Sequence, residues 1–227
     1  KIIFTSSVAV YGFTNEITGE NGKINPFNEY GKTKFEAEEK LRKWQVSGVN
    51  KLIIIRPTVI FGEGNRGNVY NLLNQIATRR FLMIGNGRNK KSLAYIGNVV
   101  AFLVKCVDSE KDYEVFNYVD TPNLEMNSLV KKVRVILFDE DSVGLRIPFF
   151  LGVGLGYLAD FLQKSLLKNL PISSLRVRKF CSSSLFSSAK FELDGFVAPF
   201  GLIQGLERTL NSEFIEPDEN REIFYSE

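Results

Sequence analysis

Two short runs of consecutive apolar residues lie on either side of a long, mostly polar segment near the start of the chain. The runs, Ile2–Phe4 and Leu52–Ile55, lack polar alternation and are typical of parallel strands buried on both faces. The segment between them has helical periodicity from about Glu29 to about Val46. A strand, a helix and a strand in this order predict a right-handed parallel crossover. Residues 1–62 are therefore expected to belong to a doubly wound sheet.

The rest of the chain continues to alternate between short apolar runs and amphipathic segments. The helix after 149 is expected to be largely buried, with three glycines that allow close packing. Residues 120–126 are expected to form a loop and 85–91 a solvated turn. The pattern predicts further helices over about 68–80, 127–138, 149–167, 171–180 and 200–214, and a helix that follows the segment 92–100 and ends near 107. It predicts strands over about 81–84, 114–119 and 145–148.

Composition is that of an ordinary soluble globular protein. The chain has 227 residues, 44% hydrophobic and 24% charged, with a net charge of +3 spread along the sequence, which gives no basis for a nucleic-acid partner. Cys106 and Cys181 suggest neither a metal site nor a disulfide framework, so a reducing cytoplasm is expected. The apolar stretch 143–155 is interrupted by Arg146 and Pro148 and is too short to span a bilayer, so no membrane partner is expected.

Proton-transfer chemistry is indicated by three side chains in a chain that contains no histidine. Tyr30 and Lys34 are four residues apart at the start of the first helix, so they share a face. Ser7 follows the first strand, at the end of a parallel sheet where ligands bind. A free phenol has a pKa of about 10, and an ammonium one helical turn away favours the phenolate. A serine hydroxyl can then hold the reacting oxygen by a hydrogen bond.

A purely structural interpretation of each of these residues also exists. A single Tyr-x-x-x-Lys match is most often a surface aromatic residue beside a solvated lysine. Ser6 and Ser7 alone are compatible with a turn at the end of a strand. The order of the three residues and the elements that carry them favour the catalytic interpretation.

The segments Thr5–Gly12 and Tyr30–Lys34 resemble the extended short-chain dehydrogenase/reductase family, in its nucleotide-sugar epimerase/dehydratase branch. The resemblance implies a catalytic triad of Ser7, Tyr30 and Lys34, with NAD or NADP as cofactor. It also implies that Tyr30 and Lys34 contact the cofactor, with Lys34 hydrogen-bonded to the nicotinamide ribose.

The same resemblance assigns a role to the segment after the second strand. In the family, the segment equivalent to residues 56–62 ends beside the nicotinamide ring, which implies cofactor contacts for Pro57 and Val59. A strand exit closed by a proline, which lacks a backbone donor, is equally compatible with the sequence.

Two further residues match substrate-binding positions of the family. Asn68 corresponds to the asparagine that opens a helix contacting the diphosphate, and a helix N-terminus suits phosphate on physical grounds. Lys91 follows a Gly-x-Gly turn at the position of a diphosphate-binding cation, where relatives usually carry arginine. Lysine is a less directional clamp than a guanidinium. A solvated basic turn is the alternative interpretation.

The glycine-rich fingerprint of a dinucleotide-binding domain does not occur in the sequence. We therefore expect the chain to be the C-terminal part of a longer protein, to bind NAD weakly or not at all, and to be inactive alone. The truncated sheet would then have an open edge that another element must cover. The expected fold is the C-terminal part of a Rossmann-type sheet plus a small mixed α/β substrate domain. We expect residues 1–62 and 113–140 to belong to the cofactor domain. Residues 63–112, for the most part, and 141–215 are expected to belong to the substrate domain, and residues 216–227 to form a tail.

The predicted activity of the whole protein is NAD(P)-dependent epimerisation or 4-keto reduction of a nucleotide-activated hexose, with a UDP-hexose as the expected substrate. Dehydratases of the family usually carry an acidic residue where this chain has Val8 and Ala9, so dehydration is less favoured. A reductase of a non-nucleotide ketone and a non-catalytic sensor or scaffold are the alternatives. The helix that carries Tyr30 and Lys34 is a possible homodimer surface.

Overall fold

The computed structural model describes residues 1–14, 16–165, 173–188, 195–217 and 222–225, with the side chains of 163–165 left out. The described residues fall into two compact units. Unit 1 comprises residues 1–70, 92–123 and the described part of 184–227. Unit 2 comprises residues 71–91 and the described part of 124–183.

Strands and helices alternate along most of the chain, as the apolar pattern predicts. The strands are β1 (Ile2–Thr5), β2 (Leu52–Pro57), β3 (Val59–Phe61), β4 (Met83–Ile84), β5 (Lys90–Tyr95), β6 (Tyr113–Tyr118), β7 (Asp120–Glu125) and β8 (Arg146–Ile147). The helices are α1 (Glu29–Val46), α2 (Asn68–Ala77), α3 (Ile96–Val107), α4 (Met126–Phe138), α5 (Phe149–Ser165), α6 (Ser174–Cys181) and α7 (Leu202–Leu210). A 3-10 helix spans Val8–Tyr11, and a π-helical turn, Asn211–Ile215, follows α7.

The central sheet of unit 1 has the strand order β1–β2–β6, with both pairs parallel. Every residue of β2 is buried, as its apolar run predicts. The residues of β1 are only half-buried, so the expectation of a fully buried first strand is wrong. Within the described residues β1 pairs on one side only, with β2, which leaves its other edge without a strand neighbour.

The second sheet of the fold, β3–β5–β7, corrects two expectations from the sequence. Lys90 and Lys91 open strand β5 rather than lying in a turn, and residues 120–125 form strand β7 rather than a loop. Asp, Thr, Pro and Asn are typical of turns, which is why the sequence predicts one there. Pro122 is tolerated in β7 because, among the described residues, this strand is at the edge of its sheet and one side of its backbone has no partner strand.

Asp120 fixes the start of β7 in unit 1. Its buried carboxylate accepts hydrogen bonds from the backbone N–H of Tyr95 (2.6 Å), the amide of Asn98 (3.0 Å) and the hydroxyl of Tyr118 (3.0 Å). Tyr95 is the N-cap residue of α3, so the carboxylate also lies where the dipole of that helix favours a negative charge. Burial raises the pKa of Asp120, and the three donors oppose that rise.

The core of unit 1 lies between the central sheet and α3. Ile53, Ile55, Phe102 and Phe116 are almost fully buried there. The rings of Phe102 and Phe116 meet edge to face, with their centroids 5.2 Å apart. This core holds β2 and β6 rigidly, and the ends of these strands carry residues of the candidate site.

Unit 2 contains the parallel pair β4–β8 and helices α4, α5 and α6. The sequence predicts a largely buried α5, but the structure shows the opposite for its large residues. Phe150 and Phe161 are 70% and 66% exposed, while Gly152 and Gly156 are buried. No described helix combines the length and the apolar character that crossing a membrane requires.

Candidate active site

Tyr30 and Lys34 lie on one face of α1, as their spacing predicts. The side chain of Asn28 begins the helix by accepting a hydrogen bond from the N–H of Gly31 at 2.9 Å. The Lys34 ammonium lies 5.8 Å from the centroid of the Tyr30 ring and donates a 3.0 Å hydrogen bond to the carbonyl oxygen of Thr5. The end of β1 therefore holds the lysine beside a tyrosine that is 53% exposed and open to a ligand.

Ser7 is the N-cap residue of the 3-10 helix that follows β1. Its Oγ accepts a 3.1 Å hydrogen bond from the backbone N–H of Ala9. Because the N–H of Ala9 takes an acceptor position of Oγ, the hydroxyl hydrogen of Ser7 is left to be donated to another group. Ser7 therefore has the hydrogen-bonding pattern needed to hold a sugar or carbonyl oxygen.

Gly31 allows α1 to approach the 3-10 helix that begins after Ser7. A Cβ atom at Gly31 would lie 2.5 Å from the carbonyl oxygen of Ala9, closer than real contacts allow. The glycine between Tyr30 and Lys34 therefore has a steric role in bringing the segment of Ser7 close to the first turn of α1.

The carboxyl ends of β1 and β2 contain two buried hydroxyl groups without a partner. Within the described residues, Ser6 Oγ and Thr58 Oγ1 make no hydrogen bond. A buried polar group left unpaired costs about 1–3 kcal/mol, so such groups call for a partner. Pro57, directly before Thr58, is buried, whereas Val59 is exposed. A polar and partly flat group such as the nicotinamide end of a dinucleotide fits this edge of the sheet.

A buried ion pair between α1 and β2 is the part of the site that the sequence analysis missed. Arg56 donates to both carboxylate oxygens of Glu38, at 2.9 Å from Nε and 2.5 Å from Nη2. It also donates to the hydroxyl of Tyr11 at 2.7 Å, and Tyr11 in turn donates to Asn117 at 2.8 Å. Burial raises the pKa of the Tyr11 phenol, and Arg56 opposes that rise.

The Glu38–Arg56 pair fixes α1 in relation to the central sheet. Glu38 lies one helical turn beyond Lys34, and Arg56 is the second-last residue of the buried strand β2. The pair therefore positions Tyr30 and Lys34 relative to the end of β2 without touching a ligand itself. A signal for it exists in the sequence, since a charge that continues a buried apolar strand needs a partner.

Asn68 is the first residue of α2 and is exposed. The loop before it is fastened within unit 1 by Glu213, which accepts from the backbone N–H of Gly64 at 2.7 Å and pairs with Arg66 at 2.6 Å. The Arg66 guanidinium lies 4.0 Å from the ring centroid of Tyr70. These contacts leave the N-terminus of α2 in a defined position, where its backbone dipole favours an anion.

Lys91 lies in unit 2 and contacts the end of α6. Its ammonium donates to the carbonyl oxygens of Lys179 (3.0 Å) and Ser182 (2.6 Å), where the dipole of the helix favours a cation. Burial and the charge of Lys179 lower the pKa of Lys91 to about 8. The observed role of Lys91 is thus to cap α6, and its role at a diphosphate stays a prediction.

The Gly-x-Gly turn before Lys91 lines a shallow pocket in unit 2. Gly85 and Gly87 have positive φ angles of 78° and 67°, which other residues rarely adopt. A Cβ atom at Gly87 would lie 2.1 Å from the side-chain oxygen of Asn127. The pocket is lined by Ile84, Gly85, Asn86, Gly87, Asn89, Phe149 and Cys181.

Comparison with known proteins decides the family. A model of the NAD dependent epimerase/dehydratase family matches residues 1–118, which is more than half of the chain. The chain belongs to this family. It is 49% identical, over its whole length, to the N-acetyl-alpha-D-glucosaminyl-diphospho-ditrans,octacis-undecaprenol 4-epimerase of Escherichia coli O157:H7. It is 30% identical, over 66% of its length, to the UDP-glucose 4-epimerase of Vibrio cholerae.

Solved structures of family members share the fold at low identity. The UDP-glucuronic acid 4-epimerase of Bacillus cereus, in complex with NAD, matches 92% of this chain with a TM-score of 0.68 and 16% identity. The UDP-N-acetylglucosamine 4-epimerase of Methanobrevibacter ruminantium, in complex with UDP-N-acetylmuramic acid, matches 95% with a TM-score of 0.69 and 17% identity. These matches confirm the Rossmann-type α/β fold expected from the sequence.

The chain is shorter than the proteins it matches. It spans 69% of the Escherichia coli relative, 47% of the Vibrio cholerae relative, and 60% and 63% of the two solved chains. The expectation of an enzyme of the epimerase/dehydratase family is confirmed.

Proposed function

We propose that the protein is an NAD(P)-dependent 4-epimerase of a hexose carried on a diphosphate. The observation that carries the proposal is the placement of the Lys34 ammonium, held by the carbonyl oxygen of Thr5, 5.8 Å from the centroid of the exposed Tyr30 ring. The nature of the 49% identical relative supports a 4-epimerase over a 4-ketoreductase.

In the proposed mechanism, Tyr30 accepts the proton of the sugar 4-hydroxyl and later returns it. The ammonium of Lys34, 5.8 Å from the centroid of the Tyr30 ring, stabilises negative charge that develops on the phenol oxygen during this transfer. Ser7 donates its free hydroxyl hydrogen to the same sugar oxygen and so holds it in line with the phenol. These three side chains need no histidine to move the proton.

The cofactor would meet the chain at the carboxyl ends of β1 and β2. When bound, NAD or NADP supplies the site with a hydride acceptor and donor. We assign Tyr30 and Lys34 to its ribose side and Pro57 and Val59 to its nicotinamide side. The unpartnered hydroxyls of Ser6 and Thr58 support a polar group at this edge.

The substrate we favour is an N-acetylhexosamine on undecaprenyl diphosphate, because the 49% identical relative is named for that reaction. A UDP-hexose is the second candidate, supported by the 30% identical UDP-glucose 4-epimerase. Both share the diphosphate, for which we propose the N-terminus of α2 at Asn68 and the cation of Lys91. We also retain a homodimer through α1 as a proposal.

A substrate assay of the full-length protein tests this function. The protein is incubated with NAD and either N-acetylglucosaminyl-diphospho-undecaprenol in detergent or UDP-N-acetylglucosamine, and the released sugar is separated into its 4-epimers. We expect the 4-epimer from the lipid-linked substrate, at a higher kcat/KM than from the nucleotide sugar. Accumulation of NADH and a 4-keto sugar without epimer formation would instead indicate a 4-ketoreductase working in reverse, and turnover of neither substrate would refute the proposal.

A further inference from the structure

Helix α5 of unit 2 carries its large apolar side chains on the outside. Over residues 149–162, whose side chains the structure describes, one continuous face of α5, about 160° wide at 100° per residue, contains only apolar side chains, one glycine and one tyrosine. Soluble helices normally turn such a face to the core. The exposed members of this face, here called the α5 outer face, are Phe150, Leu151, Leu155, Tyr157, Leu158 and Phe161.

The inner side of α5 shows that this orientation is built into the packing. A Cβ atom at Gly152 would lie 2.4 Å from Cγ2 of Ile84, and one at Gly156 would lie 2.7 Å from the backbone of Ser174. The glycine side alone is thin enough to fit against the rest of unit 2, so the helix cannot be rotated to bury Phe150 or Phe161. The outer face is therefore available to a partner, and an apolar patch of this kind marks an interaction site.

Cations border the α5 outer face. The guanidinium of Arg178 on α6 donates a 3.0 Å hydrogen bond to the hydroxyl of Tyr157 and lies 5.8 Å from the centroid of its ring. The eight residues of α6 include Arg176, Arg178 and Lys179 and no acidic residue. Asp160, the single acidic residue in the sequence of α5, accepts hydrogen bonds from the N–H (3.1 Å) and hydroxyl (2.6 Å) of Ser174. Arg178 therefore places a positive charge at the border of the face, and it belongs to a helix whose charged residues are all cations.

We propose that α5 and α6 dock on an anionic phospholipid surface. The α5 outer face would enter the boundary between head groups and acyl chains, and the α6 cations would meet the lipid phosphates. Aromatic residues at the edge of an apolar face and cations beside it are typical of helices that lie in this boundary. Since α5 is 17 residues long and no described helix can cross a membrane, it would lie parallel to the surface.

This inference rests on the proposed function, because a sugar on undecaprenyl diphosphate is presented at a membrane. It also revises the expectation from the sequence that the protein has no membrane partner. A second copy of the chain is a less suitable occupant. A two-fold contact through the α5 outer face would bring the basic α6 helices of both copies near each other, where like charges repel.

Vesicle flotation of the full-length protein tests the proposal, using phosphatidylcholine vesicles with or without roughly a third of phosphatidylglycerol, all free of undecaprenyl lipids. We expect binding that is strong only to the anionic vesicles. The double variant Phe150→Glu/Phe161→Glu should lower the partition coefficient at least about tenfold. Arg176→Gln/Arg178→Gln should lower it about fivefold for each cation removed.

Val49→Glu/Val197→Glu is the matched control, because both valines are exposed and belong to unit 1, whereas α5 and α6 belong to unit 2. It should bind vesicles like the wild type, and circular dichroism and thermal melting should show that all variants fold. The proposal is overturned if the wild type does not bind or if Phe150→Glu/Phe161→Glu binds equally well. It is also overturned if binding requires undecaprenyl diphosphate in the vesicles, or if the glutamate variant merely converts a dimer to a monomer.

The two proposals can fail separately. If the wild-type protein does not bind anionic vesicles but epimerises its substrate in detergent, only the docking surface is refuted. Binding to anionic vesicles without turnover of any 4-hydroxy sugar would refute only the proposed function.

Discussion

Helices α1 and α5 have 18 and 17 residues and present opposite kinds of surface to the solvent. The outer side of α1 is polar, apart from Tyr30 in its first turn and Val46 at its last position, and its buried residues are Gly31 and Glu38. The outer side of α5 is apolar, and its buried residues include Gly152 and Gly156. In both helices a glycine marks the point of closest approach to the neighbouring backbone or side chain.

The difference between the two helices shows what each outer face is for. In α1 a buried ion pair with Arg56 fixes the helix, so its surface can expose a reactive phenol. In α5 small residues fix the helix, so its large side chains are left for a partner. The outer face of α1 is thus suited to chemistry and that of α5 to docking, and the following predictions test this division.

The largest effect is expected from Tyr30→Phe in the full-length protein. Removal of the phenolic proton carrier should lower kcat by about 100- to 10,000-fold, the usual range for a general acid or base. The melting temperature should change little, because the tyrosine is largely exposed. Cofactor binding should be largely kept, because Lys34 remains on the proposed ribose side. Tyr225→Phe, in the exposed tail, is the control, and Phe150→Glu/Phe161→Glu should leave kcat on substrate in detergent unchanged. Turnover by Tyr30→Phe at the wild-type rate would contradict the assignment of the catalytic role to the outer face of α1.

The next largest effect is expected from Glu38→Ala. It leaves the buried guanidinium of Arg56 without its carboxylate partner and should lower the free energy of unfolding by about 3 kcal/mol. Glu39→Ala, at the exposed neighbouring position, should change it by less than about 0.5 kcal/mol. Urea denaturation of both variants gives the comparison, and equal stabilities would show that the pair does not fix α1.

A smaller difference in stability is expected between leucine substitutions at two glycines of α5. Gly152→Leu must displace Ile84 and should cost about 1–3 kcal/mol of stability. Gly154→Leu has open space around its Cβ position and should be neutral or slightly stabilising, since leucine is a better helix former than glycine. If thermal melting placed the larger loss at Gly154, the assignment of the inner and outer faces of α5 would be wrong.

The smallest effect concerns the pH dependence of stability at Lys91. Its pKa is lowered to about 8 from the usual 10.5, so between these pH values the unfolded chain holds a proton that the folded chain has lost. The free energy of unfolding therefore gains a contribution that rises with pH in this window, by at most about 1.4 kcal/mol per pH unit. Lys91→Met should remove this slope, with Lys90→Met as the control. An unchanged slope in Lys91→Met would show that Lys91 keeps its proton.

The elements that the sequence predicts correctly have local signals. The bounds of α1 follow from Asn28 and Ser47 at its ends, and the buried β2 follows from its apolar run. Ser173 caps α6 by accepting from the N–H of Arg176, as a serine before a helix predicts. The shared face of Tyr30 and Lys34 follows from helical spacing, but their catalytic roles come only from the family resemblance.

The elements that the sequence misses depend on contacts between distant residues. Strand β7 contains turn-forming residues and exists because β5 lies beside it. The partner of Arg56 is 18 residues away on α1, and helical and strand periodicity alone cannot pair them. The orientation of α5 depends on which side fits against Ile84 and Ser174, and an apolar sequence with three glycines does not reveal that side.

The most direct test of the central claim is 4-epimerisation by the full-length protein in deuterated water. In the proposed mechanism Tyr30 carries the hydroxyl proton, while the hydrogen on C4 leaves and returns as hydride, without exchange with solvent. Mass spectrometry of the 4-epimer should therefore find no deuterium on C4. Deuterium at C4 would mean that a base removes a proton from carbon, which contradicts the assigned roles of Ser7, Tyr30 and Lys34.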